Sequence, residues 1–586
     1  MDDNLSSPEA EPTLQWPDWV AVGLTLLASA AIGVYYRFTG GRQKTAEEYF
    51  SADQSVGTVM LAFTMMIAYL SAISLLGISG ENYSYGAQFN LIYIGLILGT
   101  PIVSYFYLPV FYELKMMSVF EYLERRFGKT TRLLASIVNF SQICLYTGIV
   151  IYAPSLALES TTGLSGNMSI ILIGLICTFY SSIGGIKAII ITDILQGALM
   201  FICVYCVIGI ALRDIDSGVW GIFINAQEGG RLNFFNFDFD PTVRHTWWSL
   251  TIGGTFFFLS LFACNQVQVQ RMLTAKTIGD ARKALWLNVP MTMMLALTIS
   301  FSGLVLYSHY QYCDPVTSGK IKSYDMIMPF FAKERLTRIP TLTGIFIAGV
   351  FSASLSTVSA MLNSLAAIAL ADYIKPLYKR FDREFPSDKA AMYGKILGTM
   401  IGFASIAIAF LATRLGALIQ AVLAVNGAFG GPVLGLFSLG MFTEAANEIG
   451  AVIGTVISIL LMVWIAFAPK PKEPFLDMKI DQCPNSTFTH PSNSSISDDV
   501  SSYLYINRLS YLWFTPLGMS FVIIIGYVVS VIAQKCSKIP QRVLNPNLFT
   551  PLVAARIKRR LEKEVKNSQI FVLDSKTFNS KESLES

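Results

Sequence analysis

The chain has 586 residues, of which 53% are hydrophobic and only 14% are charged, and its formal net charge is +4. Soluble globular proteins carry about 25% charged residues, so this composition excludes an ordinary soluble domain and indicates a polytopic membrane protein. The sequence has three His, no CxxC or HExxH motif and no nucleophile–base set, which argues against an enzyme. We expect no nucleic-acid partner.

Apolar stretches long enough to cross a bilayer recur thirteen times along the chain. A helix needs roughly 20 apolar residues to span the hydrocarbon core. We therefore predict an all-α membrane protein with 13 transmembrane helices. The predicted spans are residues 17–36, 52–78, 89–112, 133–158, 168–185, 189–212, 246–266, 284–309, 339–371, 393–413, 415–441, 449–468 and 510–533.

Two spans are interrupted by glycine and serine at corresponding places. The second span contains MMIAYLSAISLLGISG (65–80), and five spans later the seventh contains LTIGGTFFFLSLFACNQ (250–266). We place the second interruption at Gly253 and Gly254. Interrupted helices at matching positions of two halves point to the binding site of a transporter.

The five-span interval predicts two five-helix repeats, 52–212 and 246–441. Because an odd number of helices per repeat reverses the direction of the chain, the two repeats have opposite orientations and form an inverted repeat. One extra helix, 17–36, precedes the repeats, and two extra helices within 449–533 follow them.

The sixth span carries a carboxylate, Asp193, in the stretch AIIITDILQGALM. A carboxylate inside a membrane is unfavourable and marks an ion or proton path by default. Asp193 lies early in its span, so it is also consistent with an anchor at the membrane interface. Both interpretations stay open from the sequence.

The ninth span contains a run of hydroxyls, SASLSTVSAMLNS (352–364). At 100° per residue Ser352, Ser356, Ser359 and Asn363 share one helix face. Hard cations bind oxygen ligands, and an unwound helix supplies further carbonyl oxygens. The run predicts either an alkali-cation site or hydroxyls that bond their own helix and its neighbours.

The loop 469–509 carries glycosylation sequons at Asn485 and Asn493, which places it outside the cell. When the N-terminus is also outside, most of the 43 Lys and Arg fall on the cytoplasmic side. The acidic segment 1–16, which lacks the basic stretch of a signal peptide, is then an extracellular tail, and 534–586 is a cytoplasmic tail. We predict a plasma-membrane protein in this orientation.

Two of the eight cysteines, Cys313 and Cys483, fall in the expected extracellular loops. Thiols in that compartment are exposed to oxidation, so a disulfide between them is a hypothesis. The other cysteines in the spans act as small apolar residues.

The cytoplasmic tail contains PLVAARIKRRLEKEVK (551–566), in which basic residues cluster and apolar residues show some periodicity. A helix of this kind binds the anionic inner leaflet in some proteins. The same pattern also fits a solvated charged helix, and the sequence leaves both interpretations open.

Several long motifs resemble the sodium:solute symporter family, most closely its branch of sodium-coupled monocarboxylate, iodide and multivitamin transporters. The resemblance covers about residues 17–535. It implies the inverted-repeat fold of the bacterial leucine transporter, in which the core rocks around a site at mid-membrane. The motifs are LYTGIVIYAP (145–154), CTFYSSIGGIKAIIITD (177–193), GGRLNFFNFDFDP (229–241), NQVQVQRM (265–272) and SLSTVSAMLNS (354–364).

The resemblance implies a site for Na⁺, the coupling ion. Its ligands would be the backbone carbonyls of Ile67, Leu70 and Ala353 and the side chains of Ser356 and Thr357. The hydroxyl run of the ninth span would then bind sodium.

The resemblance also implies a second sodium site in some members of the family. Asp193, Ser356 and Ser359 match residues of that site. Ala360 stands where those members carry a further hydroxyl, so a second sodium stays open.

By position, the resemblance places the substrate beside the broken helices, and we predict an aromatic pocket with a few hydroxyls and few amide side chains. Aromatic packing between helices is the alternative role for these rings. The predicted substrate-binding residues are Tyr69, Ser74, Tyr93, Tyr146, Phe258, Phe262 and Gln420.

We expect a sodium-coupled symporter that imports a small organic anion, with lactate, pyruvate and short-chain fatty acids as the first candidates. The alternatives are symport of iodide, of a vitamin carboxylate or of another solute, and a sodium-dependent sensor that does not concentrate solute. The lipid bilayer and the substrate are the expected partners, and the sequence leaves the oligomeric state open.

Overall fold

The structure is a computed structural model, and within its described residues the fold is helical. An isolated bridge between Val56 and Ala275 is the one strand-like pairing found there. The described residues are 14–38, 56–114, 116, 118–183, 186–215, 217–386, 389–414, 416–471, 474–483, 503–537 and 544–563.

The helices of the first half overlap the predicted spans in order. Most of them are apolar over their length, as a helix in lipid must be, whereas the last turns of the third carry Ser, Glu and Asn. They are α1 (Trp16–Phe38), α2 (Thr58–Tyr69), α3 (Ser74–Tyr85), α4 (Ala87–Leu114), α5 (Lys129–Thr162), α6 (Gly166–Ile183) and α7 (Ile186–Arg213).

The second half also begins with a pair of shorter helices, which a series of long helices and a helix in the C-terminal tail follow. These helices are α8 (Trp247–Phe262), α9 (Gln266–Met272), α10 (Ile278–His309), α11 (Leu342–Arg380), α12 (Ala390–Ala412), α13 (Leu418–Phe442), α14 (Glu448–Phe467), α15 (Phe514–Ser537) and α16 (residues 551–563).

Among the described residues, nine helices are long and apolar enough to cross a membrane, and two bent pairs raise that number to 11. The helices α1 and α6 add two shorter apolar stretches. The prediction of an all-α polytopic membrane protein is therefore confirmed. We call the face that carries the α3–α4 connection the outer face, after its predicted orientation, and the opposite one the inner face.

The first bent pair, α2 and α3, turns by 66° within the second predicted span. In a continuous helix the amide of Ser71 would donate to the carbonyl of Ile67. Here it donates to Ser74 Oγ at 3.3 Å, and the amide of Ile73 donates to Ser71 Oγ at 3.2 Å. Local serine hydroxyls thus replace helical carbonyls as acceptors, and the bend withdraws the Ser71 amide from the Ile67 carbonyl.

The second bent pair, α8 and α9, also turns by 66°, but the position predicted for its interruption is wrong. The bend lies after α8, where Asn265 caps α9 by accepting from the Val267 amide at 2.9 Å. Gly253 and Gly254 lie inside α8. A Cβ on Gly254 would stand 2.6 Å from the carbonyl oxygen of Ile92, so this glycine permits close approach of α4.

On the outer face, the connection between α10 and α11 is tied to the connection that follows α14. Cys313 and Cys483 form a disulfide, and the Asp314 amide donates to the carbonyl of Lys479 at 3.0 Å. The structure therefore pairs the two cysteines of the hypothesis. The sequons at Asn485 and Asn493 lie outside the described residues.

Candidate functional site

A cavity of about 100 Å³ lies between the two bent pairs. It is lined by α2, α3, α4, α5, α8, α9, α11 and α13, so both halves of the chain contribute to it. Four of the predicted substrate-binding residues line it together: Tyr69, Ser74, Tyr93 and Tyr146.

The other predicted pocket residues lie elsewhere. Phe258 and Phe262 stack on each other with ring centroids 4.3 Å apart and pack behind the cavity, whose wall is formed by Phe257 and Leu261 of the same helix. Phe258 points toward Gly99 of α4, where a Cβ would stand 2.4 Å from its ring. Neither predicted residue of α8 therefore lines the cavity.

Gln420 lines a separate and larger outer vestibule of about 900 Å³ and not the cavity. The residues of α13 that face the cavity include Ile419, Val422 and Asn426. A Cβ on Gly77 would stand 2.7 Å from the side chain of Ile419, so α3 and α13 touch between the two spaces. Gln420 is therefore separated from the cavity by the contact between α3 and α13.

The cavity also holds amide side chains that the sequence prediction missed. Gln142 Nε2 donates to Asn426 Oδ1 at 2.7 Å, and Asn426 Nδ2 donates to Ser260 Oγ at 2.7 Å. Gln268 lines the cavity with a buried Oε1 that has no hydrogen-bond partner in the described structure. The expectation of few amides is wrong. The amide-rich motif NQVQVQ (265–270), directly after the second interruption, is the signal that could have identified Gln268 and also Asn265, which lines the cavity as well.

The predicted sodium ligands lie where α2, with its broken end, packs against α11. Ile67, Leu70, Ala353, Ser356 and Thr357 are all buried.

Two of the predicted sodium ligands are direct neighbours. Thr357 Oγ1 donates to the carbonyl of Ala353 at 3.1 Å. Two oxygens this close can share one cation, since hard cations bind oxygen at about 2.3–2.6 Å. With the Ile67 carbonyl no longer accepting from Ser71, this donor set fits a sodium ion.

Asp193 lies buried beside this cluster and is fully engaged by protein groups. Its Oδ1 accepts from Ser356 Oγ at 2.5 Å, and its Oδ2 pairs with Arg271 Nη1 at 2.8 Å. Arg271 also donates to the carbonyl of Thr64 at 3.2 Å, which ties α9 to α2. Sequence analysis missed Arg271, although it lies in the quoted motif NQVQVQRM.

The hydroxyl of Ser359, the remaining member of the second-sodium set, donates to the carbonyl of Ser356 at 2.9 Å. Each oxygen of Asp193 already has a partner, and one partner is a cation. A second sodium at Asp193 would have to displace Arg271 or Ser356 from this arrangement.

The outer vestibule contains a buried carboxylate, Asp325, outside the membrane-spanning helices. It accepts from the amide of Leu418 at the start of α13, at 3.1 Å. Burial, together with the nearby charge of Glu81, raises the pKa of Asp325 to about 7. Lys322, Arg414 and Lys470 line the same vestibule.

Two helices broken at matching places, with a cavity and an oxygen-rich cluster between them, define a secondary transporter. The sodium:solute symporter family matches residues 49–458, and the chain belongs to this family. It is a sodium-coupled transporter and not an enzyme, and Na⁺ is the ion it couples to.

Curated relatives match this chain over nearly its whole length. It is 41% identical over 561 residues to a Drosophila melanogaster protein named "Putative sodium-dependent multivitamin transporter", covering 93% of this chain and 92% of that one. It is 35% identical over 546 residues to the human sodium-coupled monocarboxylate transporter 1, covering 90% and 88%.

Solved structures share the fold. The outward-open, substrate-bound sodium-coupled sialic acid symporter superposes with a TM-score of 0.73 at 24% identity, covering 88% of this chain and 98% of the symporter. The nucleobase-cation symporter Mhp1 superposes with a TM-score of 0.51 at 11% identity, covering 87% and 98%.

Proposed function

We propose that the protein imports small organic anions together with sodium by alternating access, with short monocarboxylates such as lactate, pyruvate and short-chain fatty acids as its first candidate substrates. The observation that carries this proposal is the cavity between the two bent pairs, directly beside the oxygen cluster of α2 and α11. A solute in the cavity and an ion in the cluster would share α2, so the binding of one would favour the binding of the other.

The sodium ion would be held by the carbonyls of Ile67, Leu70 and Ala353 and the hydroxyls of Ser356 and Thr357. These ligands come from two different helices, so sodium would draw the broken end of α2 toward α11. Tyr69 and Ser74 flank the break and line the cavity, and the same event would therefore position substrate-binding side chains.

The pairing of Asp193 with Arg271 favours one sodium per cycle over two. The second set, Asp193 with Ser359, is the alternative. A single sodium with a monoanion carries no net charge across the membrane. A second sodium would make each cycle electrogenic and add about 2.3 kcal/mol per 100 mV of membrane potential.

An anion is the solute that the cavity groups favour. The half-helix α3 begins at Ser74, and a helix N-terminus presents amide donors and a partial positive charge. Tyrosine hydroxyls and the amide groups of Gln142 and Asn426 add further donors. We place the substrate-binding groups at Tyr69, Ser74, Tyr93 and Tyr146, and we add Gln142, Gln268 and Asn426.

A vitamin carboxylate is the second candidate because of the amide cluster. A solute with its own amide or ureido groups would find both donors and acceptors there, including the unpartnered Oε1 of Gln268. The name of the 41% identical relative agrees with this candidate. Iodide is less favoured, because a simple halide uses none of the amide acceptors.

We also propose the complete topology. Nine single spans, two bent spans and the shorter apolar helices α1 and α6 give thirteen, with α2–α7 and α8–α13 as the two inverted repeats. Equal bends of 66° at the start of each repeat support that relation. The N-terminus would be extracellular and the C-terminus cytoplasmic in the plasma membrane.

The test is uptake of labelled lactate, pyruvate, butyrate, iodide, biotin and glucose in cells that express the chain, with Na⁺ or with choline. Current is recorded in parallel. We expect sodium-dependent uptake of the short carboxylates, with little current if one sodium is coupled. Uptake of biotin alone would select the vitamin candidate. Binding without accumulation of any solute would contradict transport and favour a sensor.

A further inference from the structure

The C-terminal tail is fixed to the inner end of α13 before α16 begins. The amide of Thr550 donates to the carbonyl of Met441 at 3.1 Å, one residue before α13 ends. The ring of Phe549 lies under the guanidinium of Arg126, 4.8 Å from its centroid. The helix α16 therefore begins at the level where the α13 span ends.

Arg126 also bonds to the C-terminal end of α13, so one side chain contacts both the tail and that helix end. Its Nε donates to the carbonyl of Gly440 at 3.0 Å, and its Nη2 donates to the carbonyl of Thr443 at 2.8 Å. These carbonyls are among those that a helix end leaves without helical partners. The same guanidinium thus caps α13 and holds the tail.

One face of α16 packs against the protein. Val553 and Ile557, four residues apart, are 7% and 3% exposed. Arg560, on the edge of that face, pairs with Glu444 just beyond α13. The helix is therefore held in one rotational register and not free to turn.

A different face of α16 points away from the protein. Leu552 is 69% exposed, and Arg556, Arg559 and Lys563 are exposed as well. Their spacing of i, i+4, i+7 and i+11 places all four on one side of a helix. Within the described part of the chain these three cations have no salt-bridge or hydrogen-bond partner. We call this side the basic face.

We propose that the basic face binds the anionic phospholipid headgroups of the cytoplasmic leaflet. Its place at the membrane end of α13, its fixed register and its single sign of charge match a surface of that charge. Leu552 would reach the acyl boundary, as apolar residues of interfacial helices do.

The consequence is a lipid-held restraint on α13. That helix lines the substrate cavity and touches α3, so α16 links the lipid composition of the inner leaflet to a wall of the cavity. The biological role rests on the proposed cytoplasmic location of the tail. The binding itself does not, because a reconstituted bilayer carries anionic lipid on both sides.

The experiment measures amide hydrogen exchange of the full chain in nanodiscs of phosphatidylcholine, with and without phosphatidylserine. We expect slower exchange across residues 551–563 in the anionic discs. The difference should vanish in R556Q/R559Q/K563Q, since each basic residue near such a surface contributes roughly fivefold in affinity. K558Q, which removes a cation from a different face of α16, is the matched control and should keep the difference.

Equal exchange in both kinds of disc, or a lipid effect that survives in the triple variant, would overturn the proposal. If hydrogen exchange across α16 becomes slower only when an acidic protein is added, and not with the anionic lipid, the basic face binds a protein partner and the proposal is overturned as well. If the triple variant no longer forms the helix, the salt dependence of the lipid effect in the wild type tests the proposal instead. High salt should abolish this lipid effect, and an effect that salt leaves unchanged would contradict headgroup binding.

Discussion

At the residue scale, Thr357 is the side chain on which the sodium site can be tested. Its hydroxyl lies 3.1 Å from the Ala353 carbonyl, and both oxygens are predicted ligands. Thr357→Ala removes one ligand and should raise the sodium concentration needed for half-maximal uptake by about tenfold, which corresponds to about 1.4 kcal/mol. Uptake against sodium concentration measures it, alongside surface labelling.

The matched control is Thr298→Ala, because Thr298 also donates to its own helix, to the carbonyl of Met294 at 2.8 Å, but faces away from the protein interior. Thr298→Ala should leave the sodium requirement unchanged. Thr357→Ser, which keeps a hydroxyl at the site, should need a sodium concentration close to that of the wild type. An unchanged requirement in Thr357→Ala at normal surface expression would remove Thr357 from the site.

Arg271 and Asp193 form a buried ion pair whose partners cannot be removed singly without cost. Arg271→Gln leaves the Asp193 carboxylate without its cation, and breaking a buried pair in this way costs about 3–5 kcal/mol. We expect Arg271→Gln to reach the surface poorly and Asp193→Asn/Arg271→Gln to recover a large part of the loss. Surface biotinylation of the three variants measures this.

Independent behaviour of the two substitutions would contradict the pair. The double variant also bears on stoichiometry. If Asp193 held a second sodium, its removal should lower the steepness of the sodium dependence of uptake. We expect that steepness to be unchanged.

The sequence selected hydroxyls and tyrosines that lie at the cavity and in the oxygen cluster, but it missed Arg271 and the amides. Serines and tyrosines stand out in an apolar span, and they line the site because the broken helices bring them there. Arg271 lies on α9, beyond the bend, and its partner Asp193 lies 78 positions earlier. Only the packing of α9 against α2 and α7 shows that the two charges neutralise each other.

At the element scale, the second bend was misplaced because glycine has two uses in membrane helices. Gly253 and Gly254 allow close approach of neighbouring elements, whereas the bend itself forms where Asn265 caps the next helix. The first bend was located correctly within the stretch 65–80, since its serines take over the backbone donors. A glycine pair alone does not separate these two uses.

The disulfide between Cys313 and Cys483 joins two outer connections 170 residues apart. A cross-link that closes so long a segment typically contributes about 2–5 kcal/mol. Mild reduction of purified wild type should therefore lower its Tm by several degrees. Cys313→Ser/Cys483→Ser should have the lower Tm from the outset and show no further response to reductant.

Cys536→Ser is the control, because Cys536 is an exposed free thiol, and it should respond to reductant as the wild type does. A wild type whose Tm does not change on reduction, while mass spectrometry finds no linked peptide, would show that the bond does not form.

Asp325 connects the short outer helix Tyr324–Met326 to α13, and its pKa of about 7 makes this contact sensitive to pH. An aspartate in an unfolded chain has a pKa of about 3.9. Between about pH 4 and pH 7, Asp325 is therefore protonated in the folded protein but ionised in the unfolded chain. Stability falls as pH rises through that range, and the full penalty is present above pH 7.

We therefore expect the Tm of the wild type to rise when pH is lowered from 8 to 6. Asp325→Asn, which can still accept from Leu418, should be more stable at pH 8 and flatter across this interval. Asp240→Asn is the control, because hydrogen bonds from Thr242 hold the pKa of Asp240 below its usual value. A wild-type pH dependence retained in Asp325→Asn would assign it to another group.

At the scale of the whole molecule, the order and type of the helices could be predicted because lipid imposes one requirement on every span. Each predicted span overlaps a described apolar helix or a bent pair of helices, in the same order along the chain. The position of α16 could not be predicted in this way. Its register depends on Val553, Ile557 and the end of α13, which are brought together only by the folded inner face.

Orientation is the remaining property of the whole chain, and the loop 469–509 decides it. Wild type should lose mass on treatment with a glycosidase that removes N-linked glycans, since the enzymes that add them act on the luminal side. Asn485→Gln/Asn493→Gln should run at the deglycosylated size and show no further shift. Asn167→Gln, a sequon in the first turn of α6, should behave as wild type.

The glycan test reaches beyond the loop, because α14 and α15 are the two spans on either side of it. If the loop is extracellular, α13 ends at the cytoplasm, and the basic face of α16 lies at the leaflet that carries anionic lipid. An antibody tag on the C-terminus should then be inaccessible in intact cells. A tag stained from outside, together with unmodified sequons, would reverse the proposed orientation of the chain and move the basic face of α16 away from the anionic leaflet.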